Sequence, residues 1–412
     1  MLIHWIWLAH RPGVTDREKG MLLAHFSDPE DIFFADSESF DHIEGLSEEA
    51  KEGLKDKDIR SCEKILRRCD EQKIHLLTWQ DAAYPSRLKN ISDPPVLLYY
   101  KGRLPDFDGS PVIGVVGTRK ASAYGMQTAK RMGYQIGRCG GIVVSGMAYG
   151  IDGMAMAGCL TAGQSVVGVL GCGADVVYPL SNRALFADTE QYGCILSEFA
   201  PGTEPFKWNF PKRNRIISGL SNGVLVVEAP EKSGSLITAR QAADQGRDVF
   251  VVPGNIDIPS FVGSNRLLRD GAIAVSSGWD ILSEYEALYP DKIRKDTDPS
   301  HQTAYEDEVE KSDVKVAQKP QMPKKKEKAK EENPKKVIDK EKLPNYIDVN
   351  DILPKLSAEE GAIVKAIQNG ERLVDDVIAE TGLTTGKVLA LLTMLELKGI
   401  LRRLPGKRIT LK

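Results

Sequence analysis

Residues 111–125 read Pro-Val-Ile-Gly-Val-Val-Gly-Thr-Arg-Lys-Ala-Ser-Ala-Tyr-Gly. A five-residue apolar run, Val112 to Val116, gives way to a glycine, a polar loop and a serine placed to cap a helix. The unit recurs downstream: short apolar runs stand at 142–144, 166–170, 194–196, 224–227, 249–252 and 273–275, with helix-compatible stretches between them. Strands buried on both faces read as unbroken apolar runs rather than alternating ones. Residues 111–286 are therefore expected to form an α/β doubly wound domain, a parallel sheet covered by helices.

Outward from that core the pattern changes on both sides. The first hundred residues carry amphipathic helical stretches at 15–26 and 58–72. Ile43-Glu44-Gly45-Leu46-Ser47 lies between them. It reads as an ordinary helix–helix turn, with a phosphate-holding helix-hairpin-helix turn as the weaker alternative. Residues 321–336 hold seven lysines, three glutamates and two prolines, too little apolar surface to offset the entropy of folding, so a linker is expected there. Three helical stretches, at 358–368, 374–381 and 385–398, then precede two short strands around Pro405-Gly406, the order of a winged helix. The expected boundaries are 1–80 for a helical domain, 81–288 for an extended Rossmann-like domain, 289–352 for a charged linker and 353–412 for the winged helix.

Composition narrows the function. With 55 basic and 58 acidic residues among 412 the net charge is −3, which excludes coating nucleic acid by bulk charge but not a local basic site. A hydrophobic content of 42% excludes a wholly disordered chain. No apolar run approaches the ~20 residues of a spanning helix, and residues 2–9 lack the basic leader and cleavage site of a signal peptide. The six cysteines contain no CxxC pair. A reduced, cytoplasmic protein without membrane contact is expected.

Within 111–286 there is no histidine, no GxSxG and no GxxxxGK[ST], so neither a His-based triad nor a His metal site nor a P-loop is expected. Cys172, between two glycines, has no local base and reads as a small packed residue. No catalytic residue, metal or cofactor is assigned. What the domain does hold is four glycine-rich loops at strand C-termini: Gly117-Thr118-Arg119 with Ser122 and Gly125, Ser145-Gly146 through Gly153, Gly171-Cys172-Gly173-Ala174-Asp175, and Ser233-Gly234-Ser235. Such loops expose backbone N–H groups that suit phosphate oxygens. Although the domain carries 15 basic and 15 acidic residues, Lys212-Arg213-Asn214-Arg215 packs three cations and an amide together without an acid. Arginine forks bind phosphate bidentately. The expected anion-binding set is thus Gly117, Arg119, Ser122, Gly146, Lys212, Arg213, Asn214, Arg215, Ser233, Gly234 and Ser235.

At the level of motifs, GTRKASAYG (117–125), SGMAYGIDGMA (145–155), GCGADVVYP (171–179), SEFAPGTEP (197–205), FPKRNRIISGLS (210–221), SGSLITA (233–239), GSNRLLRDGA (263–272) and YPSRLKNISDPPVLLYYKG (84–102) together resemble the DNA-processing protein A (DprA or Smf) family. The resemblance implies a non-enzymatic single-stranded DNA-binding protein, usually a homodimer. It protects incoming DNA and helps load the RecA recombinase in natural transformation, in DNA uptake by competent cells, or in recombination. By motif, Arg119, the run 212–215 and the Ser233–Ser235 loop carry over to the family's DNA pocket. Two positions depart from the pattern: Met156 stands where histidine is common, and Leu180 where some members place a pocket lysine. Arg183, one turn on, is the candidate replacement for that charge.

Two other functions compete. Rossmann hydrolases of nucleotides or nucleoside phosphates carry a PGGxGTxxE-like loop where this chain has SGSLITA, and here Thr238 is followed by Ala239-Arg240-Gln241, so the PGG and the glutamate are missing. A duplex-reading regulator is weaker still. The third winged-helix stretch offers two lysines and no Arg, Asn or Gln for bidentate base contacts, although the six basic residues of 398–412 suit non-specific phosphate attraction.

Overall fold

The β-branched runs seen in the sequence pair into one sheet because each can bury both of its faces. The computed structural model describes residues 1–296, 356–367, 372–397, 400–404 and 408–411. Nine strands, β1 (His75–Thr78), β2 (Leu97–Gly102), β3 (Val112–Val116), β4 (Ile142–Ser145), β5 (Val166–Val169), β6 (Cys194–Ser197), β7 (Gly223–Val226), β8 (Asp248–Val251) and β9 (Ile273–Ala274), align in the order β1-β2-β6-β5-β4-β3-β7-β8-β9. The pairs β1/β2 and β2/β6 are antiparallel, and the remaining pairs are parallel.

Successive residues of β3 go to opposite cores. Ile113 and Val115 enter one, Val112 and Val116 the other. The helices Ala123–Arg138 and Ile151–Thr161 cover the first face, and Asn209–Leu220 and Gly234–Asp244 the second. The first two cross so closely that a Cβ on Gly133 would stand 2.0 Å from the Ala155 carbonyl oxygen. β3 has β4 on one side and β7 on the other, so the chain reverses direction across the sheet there. Open α/β sheets bind ligands in the crevice outside the strand C-termini at such a switch point.

The helical segment preceding the sheet joins the same core, through Trp5, Ile6, Trp7 and Leu8 of the helix Leu2–Ala9. β1, which joins the sheet by pairing with β2, lies before the boundary expected at residue 80. At the other end, Ile293 is buried and the Tyr289 hydroxyl accepts from Arg87 and Asn222, so the chain still packs beyond residue 289. Most of the expected linker lies outside the described residues. In the turn at 43–47 the Ser47 amide donates to the Glu18 carboxylate at 2.9 Å, which leaves that amide no part in holding a phosphate.

A second unit lies within residues 325–412. Its helices Ala358–Ile367, Val374–Thr381 and Thr385–Leu397 enclose a core including Ile363, Ile367, Val377, Val388 and Leu392. Its sheet has three strands, order β10-β12-β11, with β10 at Arg372–Leu373, β11 at Leu401–Leu404 and β12 at Arg408–Leu411. This is a winged helix. The two-residue β10 is too short to leave a pattern in the sequence.

Candidate nucleic-acid interface

An open cleft of about 610 Å³ lies at the switch point between β3 and β7. The loop after β3 supplies Gly117, Thr118 and Arg119, and the turn 230–235 supplies Lys232, Ser233, Gly234 and Ser235. The helix Asn209–Leu220 and the residues before it supply Lys207, Phe210, Arg213 and Asn214.

The four glycine loops, alike in sequence, differ in what their amides meet. After β3, the Ser122 hydroxyl caps the next helix by accepting from the Gly125 amide at 3.0 Å. It also donates to Glu228 at 2.8 Å, and the Ser122 amide donates to the same carboxylate at 3.1 Å. Glu228 is fully buried and leaves so little space that a Cβ on Gly125 would stand 1.8 Å from its Oε2. A helix N-terminus favours negative charge, and here the protein's own carboxylate occupies the place where a Rossmann fold seats a pyrophosphate. After β4, Asp152 does the same for the second loop, its Oδ2 accepting from the Gly146 amide at 3.2 Å. The third loop is held by Asp175, which accepts from the Gly202 amide at 2.7 Å and pairs with Arg68 at 2.6 Å.

The fourth loop remains open. Ser233 caps the helix Gly234–Asp244 through the Ser235 amide, and among the described residues no carboxylate hydrogen-bonds to this turn. A Cβ on the exposed Gly234 would meet nothing within 4 Å.

The cations sort in the same way. Arg119 is exposed, makes no ion pair among the described residues, and lies with its guanidinium 5.1 Å from the centre of the Phe210 ring. Lys207 and Lys232, which charge patterning in the sequence did not single out, are both exposed on the cleft wall. Each is a lone cation in its stretch, and only the fold turns it inward. Arg213 is 3% exposed and serves the cleft differently. It donates to the carbonyl oxygens of Gly146, at 3.1 Å, and Val169. Burial lowers its pKa to about 10, against the pull of Asp152. Its charge persists at neutral pH as a fixed positive field behind the cleft. Gly146 is needed beside it, since a Cβ would approach Nη2 to 2.4 Å. Burial likewise pushes the Asp152 carboxyl up, opposed by Arg213 and Arg119.

Lys212 and Arg215 do not line the cleft. Their side chains leave the opposite face of the helix and meet carboxylates. Arg215 pairs with Glu198 at 2.7 Å, Asp16 at 2.9 Å and Asp93 at 2.9 Å, and Lys212 with Asp16 at 2.9 Å and Glu198 at 3.4 Å. Both are expected in the anion site, and the structure instead sets them against carboxylates from residues distant in the chain, away from the cleft. Ser122 and Gly146 shape the loops rather than facing a ligand, for the reasons above. Arg183, exposed at the start of the helix Arg183–Tyr192, is not among the residues that line the cleft. Met156 is fully buried in the core, so its departure from the histidine pattern does not alter the cleft. Of the expected set, Gly117, Arg119, Arg213, Asn214, Ser233, Gly234 and Ser235 converge.

Both parts of the chain are similar to known proteins. The family model for DNA recombination-mediator protein A matches residues 75–286, and the DprA winged helix domain matches residues 350–407. The DNA processing protein DprA of Bacillus subtilis is 44% identical over 221 residues, covering 54% of this chain and 74% of the relative. Protein Smf of Synechocystis is 34% identical over 338 residues, covering 81% and 79%. The X-ray structure of DNA processing protein A from Streptococcus pneumoniae superposes with a TM-score of 0.61 at 35% identity, covering 69% of this chain and 98% of that one. With both domains matched in order and half of the chain inside the first match, the chain belongs to the DNA recombination-mediator protein A family, the DprA/Smf proteins.

Proposed function

We propose that the chain binds single-stranded DNA in the cleft between β3 and β7 and acts in recombination or natural transformation without catalysing a reaction. The carrying observation is the contrast among the loops. Two have amides taken by internal carboxylates, the third is tied to Gly202 and Arg68 through its own Asp175, and the fourth opens onto a cleft bearing Arg119, Lys207 and Lys232, with Arg213 behind it. A flexible strand follows such a wall, whereas a duplex presents its phosphates at fixed spacing. The DNA recombination-mediator match and the curated DprA and Smf relatives support the same reading. A nucleotide hydrolase is not favoured, since the pyrophosphate seat is taken by Glu228 and burial raises the Cys172 thiol to about 12, far from a thiolate nucleophile.

Handing the strand to the RecA recombinase belongs to the same proposal, resting on the family's role as a recombination mediator. So does a homodimer. The two-residue edge strand β9 leaves a free sheet edge, and Ile256, Val262 and Ile273 nearby in sequence are 83%, 43% and 39% exposed. No helix among the described residues is long and apolar enough to cross a membrane. All six cysteines are free and buried, which fits work in the reducing cytoplasm.

The test is titration of oligo-dT and of the matching duplex at several salt concentrations, without nucleotide. Three exposed cations and one buried one predict a slope of log K on log[salt] of about −2 to −3, at ~0.7 per phosphate. Equal affinity for duplex, or affinity independent of salt, rejects the proposal.

A further inference from the structure

Two aromatic rings stand exposed on the segment that leads into the cleft. Phe206 and Trp208 are 42% and 70% exposed, and their rings stack 4.9 Å apart with planes 4° from parallel. Of the five tryptophans Trp208 alone is exposed. Solvent-facing apolar surface of this size at the rim of a basic site has no role in the core.

The segment is fixed rather than loose. Asn209 is buried and donates through Nδ2 to the Gly171 carbonyl at 3.0 Å, and its amide donates to the Phe206 carbonyl at 3.0 Å. Phe210 packs against Gly171, where a Cβ would approach its ring to 2.9 Å. One face of Trp208 is covered by Phe206, and the indole stands out into solvent. Immediately before it, exposed Lys207 lies on the cleft wall, which half-buried Pro205 and Phe210 to either side also line.

Resting on the reading of the cleft as a single-strand site, we propose that Trp208, backed by Phe206, is a base-stacking platform at the cleft rim. The occupant is an unpaired nucleobase of the same strand whose phosphates lie against Lys207 and Arg119. The cation takes the phosphate and the neighbouring ring takes the base. Every base has a π-face, so the platform is sequence-tolerant, and because a paired base keeps its faces inside the duplex stack, it selects single strands.

The experiment compares wild type, Trp208→Ala and Trp208→Phe on a fluorescent oligo-dT and on an abasic strand of equal length. Wild type is expected to prefer the base-bearing strand. Trp208→Ala loses about fivefold or more on that strand and little on the abasic one, and Trp208→Phe recovers part of the preference. The platform is overturned if Trp208→Ala binds oligo-dT as wild type does, or if it weakens both strands equally, while wild-type binding still upholds the cleft. Failure of wild type to bind either strand rejects the cleft reading and the platform with it.

Discussion

The helix Asn209–Leu220 has two faces whose sequences look interchangeable and whose environments are not. Arg213 and Arg215 are two residues apart, and each is 3% exposed. Arg213 rests on carbonyl oxygens with Asp152 nearby and stands behind an open cleft. Arg215 is ringed by Glu198, Asp16 and Asp93 and helps pin the N-terminal helical segment to the sheet. A run of cations is therefore not one site. Where carboxylates pair directly with a cation, it holds the fold together, and where none does, as at the exposed Arg119, it remains available to a ligand.

Removing Arg215 is the severest way to break this contrast. Arg215→Ala leaves Glu198 buried with fewer partners, and stripping one member from a buried ion cluster costs about 3–5 kcal/mol. Denaturant unfolding is expected to show that loss, whereas a variant as stable as wild type, with weakened DNA binding, would return Arg215 to the cleft.

The same side of the helix predicts a pH response. His10, hydrogen-bonded to the Tyr99 hydroxyl at 2.8 Å, is lowered to about 4 by burial and by Lys19 and Lys212. The unfolded chain takes up this proton near pH 6.5, so the stability held by neutral His10 is complete above that pH. It falls as the pH drops toward 4, by up to about 3 kcal/mol. His10→Gln should flatten unfolding free energy against pH in that window, and an unchanged slope would place the titration elsewhere.

On the cleft side, Arg119→Ala sharpens the comparison. Loss of a charge-assisted phosphate contact is worth about 1.5–3 kcal/mol, so oligo-dT affinity should drop tenfold or more with the thermal midpoint unchanged. The salt slope should also become shallower by ~0.7. A fall in stability instead would mean that Arg119 too is structural.

The smallest effect is expected from the second unit. A chain ending at residue 351 should keep oligo-dT affinity within a few-fold, because the cleft lies wholly in the first unit. The helix Thr385–Leu397 carries one lysine and no Arg, Asn or Gln with which to read bases. A large loss on truncation would move the binding site out of the cleft.

The apolar runs specified the sheet, and the glycines its turns, because strand burial and tight turns are properties of a few consecutive residues. Gly117, Arg119 and the Ser233–Ser235 turn were legible for the same reason. Their place at strand C-termini follows from the local pattern alone. What the sequence could not display was which charges would find partners. Glu228 reaches Ser122 across 106 positions, and Asp16 reaches Arg215 across 199. Lys207 and Lys232 looked ordinary because nothing adjacent in the chain marks them, and folding brings them to one wall. Neutralisation of a charge depends on distance in space and on the dielectric around it, so tertiary structure alone decided which glycine loop stayed open and which cations stayed free.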